Sequence, residues 1–215
     1  MFRISMRYDP EKHHRKSIRL KDYDYSQAGF YFVTICAKDR ECVFGEIVGG
    51  EVVLSDVGDM ISQWWRKLED KYRNILLDEF ILMPNHLHGI INIRELEEGG
   101  GTFPGGQHDL PGGEQDLPGG RHISRGGRHM GLPLPTVIQW FKTMTTNEYI
   151  RGVHLKLYPP FDKKLWQRNY YERIIRDEKE LDEIRRYIRN NPLNWERDEE
   201  NPDACPQACQ KNPWI

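Results

Sequence analysis

His86 and His88 flank a single leucine in the run MPNHLHGI. On a strand, residues two apart point to the same face, roughly 6–7 Å apart along the chain. Two imidazoles so placed can converge on one cation while Leu87 points into a core, and both are largely neutral at pH 7, as metal ligands must be. A pair of surface histidines on an edge strand fits the same tripeptide, so residue types alone leave both readings open. Tyr187 and Asn191 form a second constellation. They stand four apart in YIRNNP and share a face of any helix there. Tyr187 offers a phenol and Asn191 an amide oxygen suited to a hard cation. The plainer alternative is that Tyr187 packs on a sheet and Asn191 ends its helix.

The elements that must position these groups can be read from periodicity. GFYFVTICAK (29–38) is rich in aromatic and β-branched residues and predicts a buried strand. FGEIVGGEVVLSD (44–56) predicts a hairpin turning at Gly49-Gly50. Ser55 or Asp56 can cap a helix over 56–72, where Val57, Met60, Ile61, Trp64, Trp65 and Leu68 recur at helical spacing. ILLDEFILM (75–83) and HLHGIINI (86–93) predict an antiparallel pair or one bent strand, broken at Pro84-Asn85. A helix is expected over 134–152, with Pro135 in its first turn, then a short strand at the end of LWQRNYYERIIR (165–176). DEKELDEIRRYIRNNP (177–192) places acids early and arginines late, as a helix dipole favours, and Pro192 stops it. This mixed order predicts an α+β fold: an antiparallel sheet with helices packed on one face.

Between these elements, 97–133 carries PGGQHDL, PGGEQDL and PGGRHIS, a tandem seven-residue unit. Its glycine, proline and small polar residues offer too little apolar area to offset ordering entropy, so a disordered Gly/Pro-rich insertion is expected. Its His108, His122 and His129 are taken as solvated loop residues. The organisation expected is a basic segment 1–28, one domain formed by 29–96 and 134–195, the insertion 97–133, and a loose polar tail 196–215.

Composition bounds the function classes. Hydrophobic residues make up 38% of the 215, but six Trp, ten Tyr and eight Phe supply large units of buried area. No apolar run reaches membrane-spanning length and the first residues lack a signal peptide's apolar centre, so a soluble, cytoplasmic chain with no membrane partner is expected. Cys205 and Cys209 give at most half a zinc site, and neither Cys36 nor Cys42 completes it. The formal charge of −2 conceals two basic stretches, 1–21 and 151–176. Local charge of this kind permits nucleic-acid binding without requiring it.

MPNHLHGI followed by Y-I-x-x-N-P, together with RKSIRLKDYDYSQAGFYFVTICAKDR, FGEIVGGEVVLSDVG, WQRNYYERIIRDEKEL and YIRNNPLNW, resembles the HUH (His–hydrophobe–His) transposases, specifically the REP-associated single-tyrosine group. The resemblance runs from about Arg15 to Pro202, with the repeat as an insertion. It implies a ferredoxin-like arrangement of sheet and helices and a metal site in which His86, His88 and Asn191 hold Mg²⁺ or Mn²⁺. It further implies Tyr187 as the nucleophile that cuts and rejoins single-stranded DNA through a 5′-phosphotyrosine. Hairpin DNA is the implied partner, and the protein is expected as a monomer or a homodimer. Arg15, Lys16, Arg19, Lys142, Arg168, Arg173, Arg185, Arg186 and Arg189 are the candidate phosphate contacts, with nearby aromatics for base stacking. Tyr170 and Tyr171 are rival phenols, but neither has an amide four residues on, so scaffold or base-stacking roles suit them better.

Three other classes compete. A domesticated hairpin binder that no longer cuts would keep the same fold. An amidohydrolase barrel with His-x-His needs roughly 250 residues of strand–helix repeat, which this chain lacks. A relaxase or replication initiator shares the histidine strand, but the flanking segments resemble the transposases.

Overall fold

Helix caps and β-branched runs set the boundaries of most elements. The computed structural model describes residues 23–95, 133–162, 164–204 and 212–214. The candidate DNA contacts Arg15, Lys16 and Arg19, the repeat histidines His108, His122 and His129, and Cys205 and Cys209 lie outside the described residues.

The aromatic and β-branched run forms β1 (Gly29–Cys36), and the double glycine closes a hairpin of β2 (Gly45–Val48) and β3 (Glu51–Leu54). Gly49 and Gly50 have φ of 61° and 83°, the left-handed pair that a two-residue hairpin turn requires. Helix α1 (Asp56–Lys71) begins at Ser55, whose side-chain oxygen accepts the Gly58 N–H at 3.1 Å. Strands β4 (Ile75–Leu82) and β5 (His86–Ile93) pair antiparallel, so the Pro84-Asn85 break is a turn between two strands. Then follow α2 (Leu134–His154), β6 (Tyr171–Ile175) and α3 (Glu178–Asn190). Asp177 caps α3 by accepting the Glu180 N–H at 2.8 Å.

The main sheet is antiparallel throughout, in the order β4-β5-β1-β6. The architecture is α+β, as the sequence predicts, but the helices cover both faces rather than one. Tyr31, Val33 and Ile35 of β1, with Leu87 and Ile91 of β5, pack under Trp65 and Leu68 of α1 and Ile138 and Phe141 of α2. Alternation turns Phe32 and Ile90 to the opposite face, where Leu181, Ile184 and Ile188 of α3 cover them. Helix α3 was expected to share a face with the others because its amphipathic stripe says that it packs, not on which side.

A register shift between Leu77 and Phe80 interrupts the β4–β5 ladder. Asp78 and Glu79 lie in this bulge and both reach α3: Asp78 takes the Arg185 guanidinium in two bonds of 2.8 and 2.6 Å, and Glu79 takes Arg189 at 2.9 Å. Adjacent strand residues ordinarily point to opposite faces, so the bulge lets both acids hold the same helix. Among the described residues, no helix is long and apolar enough to cross a membrane.

Candidate metal and tyrosine site

With Leu87 turned into the core beneath α1 and α2, His86 and His88 face α3. Both are buried, at 0% and 1% exposure. Strand β5 lies inside the sheet, between β4 and β1, so these are not surface histidines on an edge strand.

Each imidazole is held at Nδ1 and presents Nε2. Nδ1 of His86 lies 2.9 Å from Oδ1 of Asn85, an acceptor, so the proton sits on Nδ1 and Nε2 carries a lone pair. Asn85 is itself fixed, donating from Nδ2 to the carbonyls of Arg40 (3.0 Å) and Glu200 (2.7 Å). Nδ1 of His88 lies 2.8 Å from the hydroxyl of Thr34, its direct partner across β1 and β5. A hydroxyl donates and accepts, so Thr34 can hold either tautomer of His88. The two Nε2 atoms stand 3.1 Å apart.

Helix α3 brings the second constellation to the first. The Tyr187 hydroxyl is 3.3 Å from Nε2 of His88, and the Tyr187 ring meets Phe32 edge-on. Asn191, at the C-cap of α3, is 2% exposed and its side chain lies against His86, Tyr187 and Asp198. Its Oδ1 has no aligned donor, which leaves a buried carbonyl oxygen without a proton to accept. Such an orphan costs free energy unless something positive meets it.

The segment after α3, expected to be a loose tail from residue 196, instead closes the site as far as it is described. A 3-10 helix spans Pro192–Arg197, after which Asp198 accepts the Glu200 N–H at 2.8 Å and Glu200 is buried beside Arg40 at 3.0 Å. Ligand atoms of His86, His88 and Asp198 all lie within 4.8 Å of one another, so this group could hold a metal ion. Asp198 escapes a sequence reading because it sits among five acids in 196–203 and nothing in that run distinguishes it. Asn85 was read only as part of a strand break, although it immediately precedes the histidine pair. Thr34 could be found only from the β1–β5 register.

The electrostatics suit a cation. Burial pushes the His86 imidazole down to about 3, against a weaker upward pull from Asn191, and burial with the charge of His86 holds His88 well below its usual value. Both histidines are therefore neutral donors. Burial, reinforced by the Asp198 carboxylate, raises the Tyr187 phenol, so it is protonated at neutral pH. Burial also raises Asp198 and Glu200. Two imidazole nitrogens spaced like neighbouring ligands about 2.1 Å from one ion, an orphaned amide oxygen and one carboxylate make a mixed N/O donor set that fits a divalent cation.

Most of the described basic candidates are engaged with the protein. Arg185 and Arg189 hold β4 as above, and Arg185 also takes Asp182 at 3.0 Å. Arg173 binds Glu180 at 2.7 Å and lies over the Trp214 ring. Lys142 donates to the carbonyls of Gln167, Arg168 and Asn169 at 2.5, 3.2 and 3.4 Å. Arg168 and Arg186 are exposed. Tyr170 is buried in the α1–α2 core, whereas Tyr171 is 38% exposed at the start of the edge strand β6.

No protein-family model matches the chain. It is 38% identical over 196 residues to an uncharacterized protein of Haemophilus influenzae, a match covering 91% of this chain and 98% of that protein. Among solved structures it is similar to a REP-associated tyrosine transposase bound to a REP hairpin, at TM-score 0.46 and 15% identity, over 84% of this chain and 74% of the other. It is also similar to a putative transposase from Deinococcus radiodurans, at TM-score 0.40 and 16% identity, over 81% of this chain and 97% of the other.

Proposed function

We propose, for a chain that belongs to the same family as the Haemophilus influenzae protein, that it is a transposase that cuts and rejoins single-stranded DNA with Tyr187 as nucleophile. The observation that carries this reading is convergence: α3 delivers a phenol and an unpaired amide oxygen to the two imidazoles that β5 presents. The motif pair MPNHLHGI and Y-I-x-x-N-P, whose resemblance to the HUH transposases rests on sequence, supplies the substrate class.

In this reading His86, His88 and Asn191 hold the cation, and Asp198 contributes the negative charge that three neutral ligands lack. A bound Mg²⁺ or Mn²⁺ would draw charge from the scissile phosphate and lower the cost of a phenolate. The Tyr187 oxygen attacks phosphorus, the P–O3′ bond breaks, and the proton lost by Tyr187 ends on the freed 3′ oxygen. The product is a 5′-phosphotyrosine. A different 3′-hydroxyl then attacks that ester, the P–O bond to Tyr187 breaks, and the phenol regains its proton. One phosphodiester is exchanged for another, so rejoining needs no external energy. Asn85 and Thr34 orient the imidazoles, and the Asp78 and Glu79 clamps keep α3 against them. Hairpin DNA is the substrate form.

Incubating the protein with Mn²⁺ and an end-labelled hairpin oligonucleotide carrying single-stranded flanks tests the reading. A covalent protein–DNA adduct that survives denaturing electrophoresis, maps to the Tyr187 peptide and disappears in Tyr187→Phe is expected. An adduct retained in Tyr187→Phe would overturn the assignment of the nucleophile. Hairpin binding with no adduct would instead mark a binder that does not cut.

A further inference from the structure

Past the end of β1 the chain builds a second concavity. Ala37 bridges Trp166, the Lys38 N–H donates to the Leu165 carbonyl at 2.8 Å, and the Gln167 N–H donates to the Cys36 carbonyl at 2.9 Å. Segment 164–167 is thereby tied to the end of β1. Residues 167–169 are fastened from behind by the three bonds from Lys142. Between these strands of chain lies a cleft of about 360 Å³, lined by Cys36, Lys38, Gln167, Arg168, Asn169 and Tyr171, among others. That volume is in the range of small-ligand sites.

Register puts the rim of the cleft on the same face of the sheet as the metal and tyrosine site. Cys36 pairs with His86 across β1 and β5, and Tyr171 pairs with Thr34 across β1 and β6. Directly paired residues project on the same face. Tyr171 therefore stands on the face of His88, beside the Thr34 hydroxyl that holds it. The lining is also chemically specific. Tyr171 offers a partly exposed ring. Gln167 and Asn169 carry amides that can both donate to and accept from a base edge, and Lys142 fixes their backbone in advance. Lys38 is paired with Asp39, whereas Arg168 is exposed and enters no ion pair among the described residues.

We propose that this cleft seats one unpaired nucleotide of the DNA strand that crosses the His86–His88 site: its base lies against the Tyr171 ring, its edge is read by Gln167 or Asn169, and its phosphate meets Arg168. The inference rests on the function proposed above and adds a base-reading subsite to it. An aromatic face beside amides on a rigid frame, with one cation, is the arrangement by which single-stranded nucleic acid is held.

Fluorescence anisotropy of an end-labelled, random-sequence single-stranded DNA, in a Tyr187→Phe background so that nothing is cut, reads the subsite directly. Tyr171→Ala is expected to weaken binding about tenfold, whereas Tyr171→Phe, which keeps the ring, stays close to the parent. Photo-cross-linking with iodouracil-substituted DNA should modify the peptide that contains 167–171. Parent-like binding by Tyr171→Ala overturns the proposal and leaves the proposed function standing; so does an equal loss in Tyr171→Phe, or a cross-link confined to other peptides. A parent that binds no single-stranded DNA at all overturns both.

Discussion

The side-chain oxygen of Asn85 accepts a hydrogen bond from Nδ1 of His86 at 2.9 Å, and the amide nitrogen of the same Asn85 is held by two backbone carbonyls. This contact decides which nitrogen of His86 carries the proton, and so which is free for a cation. Asn85→Leu removes the acceptor and strands a buried N–H. Mn²⁺ affinity, measured by titration calorimetry, is expected to fall about 10–100-fold, the usual cost of losing the partner that orients a histidine ligand. Affinity equal to the parent's would mean that Asn85 serves only the loop.

Acid should destabilise the metal-free protein through the same histidines. Burial depresses both in the folded state, His86 to about 3, while an unfolded chain titrates them near 6.5. Between those values the unfolded state binds more protons, so stability is full above about pH 6.5 and is lost as pH falls toward 3. Asp198 and Glu200, raised by burial, act in the opposite sense: they favour folding when protonated, and that contribution fades as pH rises from the ordinary carboxylate range. Their effect opposes that of the histidines. From pH 7 to 5 the urea midpoint should therefore drop, with His86 alone contributing the equivalent of about 2 kcal/mol, and His88→Asn should flatten the slope. A midpoint unchanged over that interval would show that the imidazoles are solvated.

Helix α3 is held to the sheet by the Arg185–Asp78 fork, and it carries both Tyr187 and Asn191. The Arg185 contact keeps the Asp78 carboxyl below its ordinary range. The pair is partly open to water, so Asp78→Ala should cost about 1–3 kcal/mol of stability rather than the larger cost of a sealed pair. The more informative readout is function: Mn²⁺ affinity and adduct yield should fall together, although Asp78 touches neither group. A loss of thermal stability with unchanged adduct yield would separate the clamp from the site.

Much of this architecture was legible because local chemistry sets it. Ser55 marks a helix start by accepting an N–H group that no helix can satisfy internally, and period-two alternation places His86 and His88 on one face with Leu87 on the other. Convergence of that face with Tyr187 and Asn191 came from the family resemblance, since no local rule brings residues about a hundred apart together. What composition concealed was non-local. The polar, proline-rich run after α3 looks unable to pack, yet Glu200 is buried because Asn85 and Arg40 supply partners from another part of the chain. Asp198 and Thr34 owe their positions to that closure and to strand register, neither of which leaves a trace in nearby residues.

Gly89, immediately after the histidine pair, is a packing requirement that can be tested in isolation. A Cβ built there would come within 2.4 Å of the indole Cζ2 of the fully buried Trp65. An indole locked among Phe80 and Phe141 has no room to retreat, so β5 itself must shift. Gly89→Ala is expected to cost about 1–3 kcal/mol, read as a lower melting temperature. Because β5 carries His88, Mn²⁺ affinity should drop as well. An Ala variant as stable as the parent would show that α1 can lift away freely.

Lys142 and Arg168 were equivalent candidates for DNA contact by sequence, and the structure gives them different tasks. Lys142 is half-buried, and desolvation pulls its ammonium down to about 8; it spends its donors on three carbonyls of the cleft loop. Arg168 lines the cleft and is exposed. Neutralising a phosphate releases counterions, so each lost contact to a single strand reduces the log–log salt slope of binding by about 0.7. Arg168→Ala should lower that slope by about this amount with little change in melting temperature. Lys142→Met should do the reverse, lowering the melting temperature because three loop carbonyls lose the donor that ties them to α2, while the slope stays at the parent value. If Lys142→Met reduces the slope and spares stability, then Lys142 faces DNA and the loop stands without its clamp.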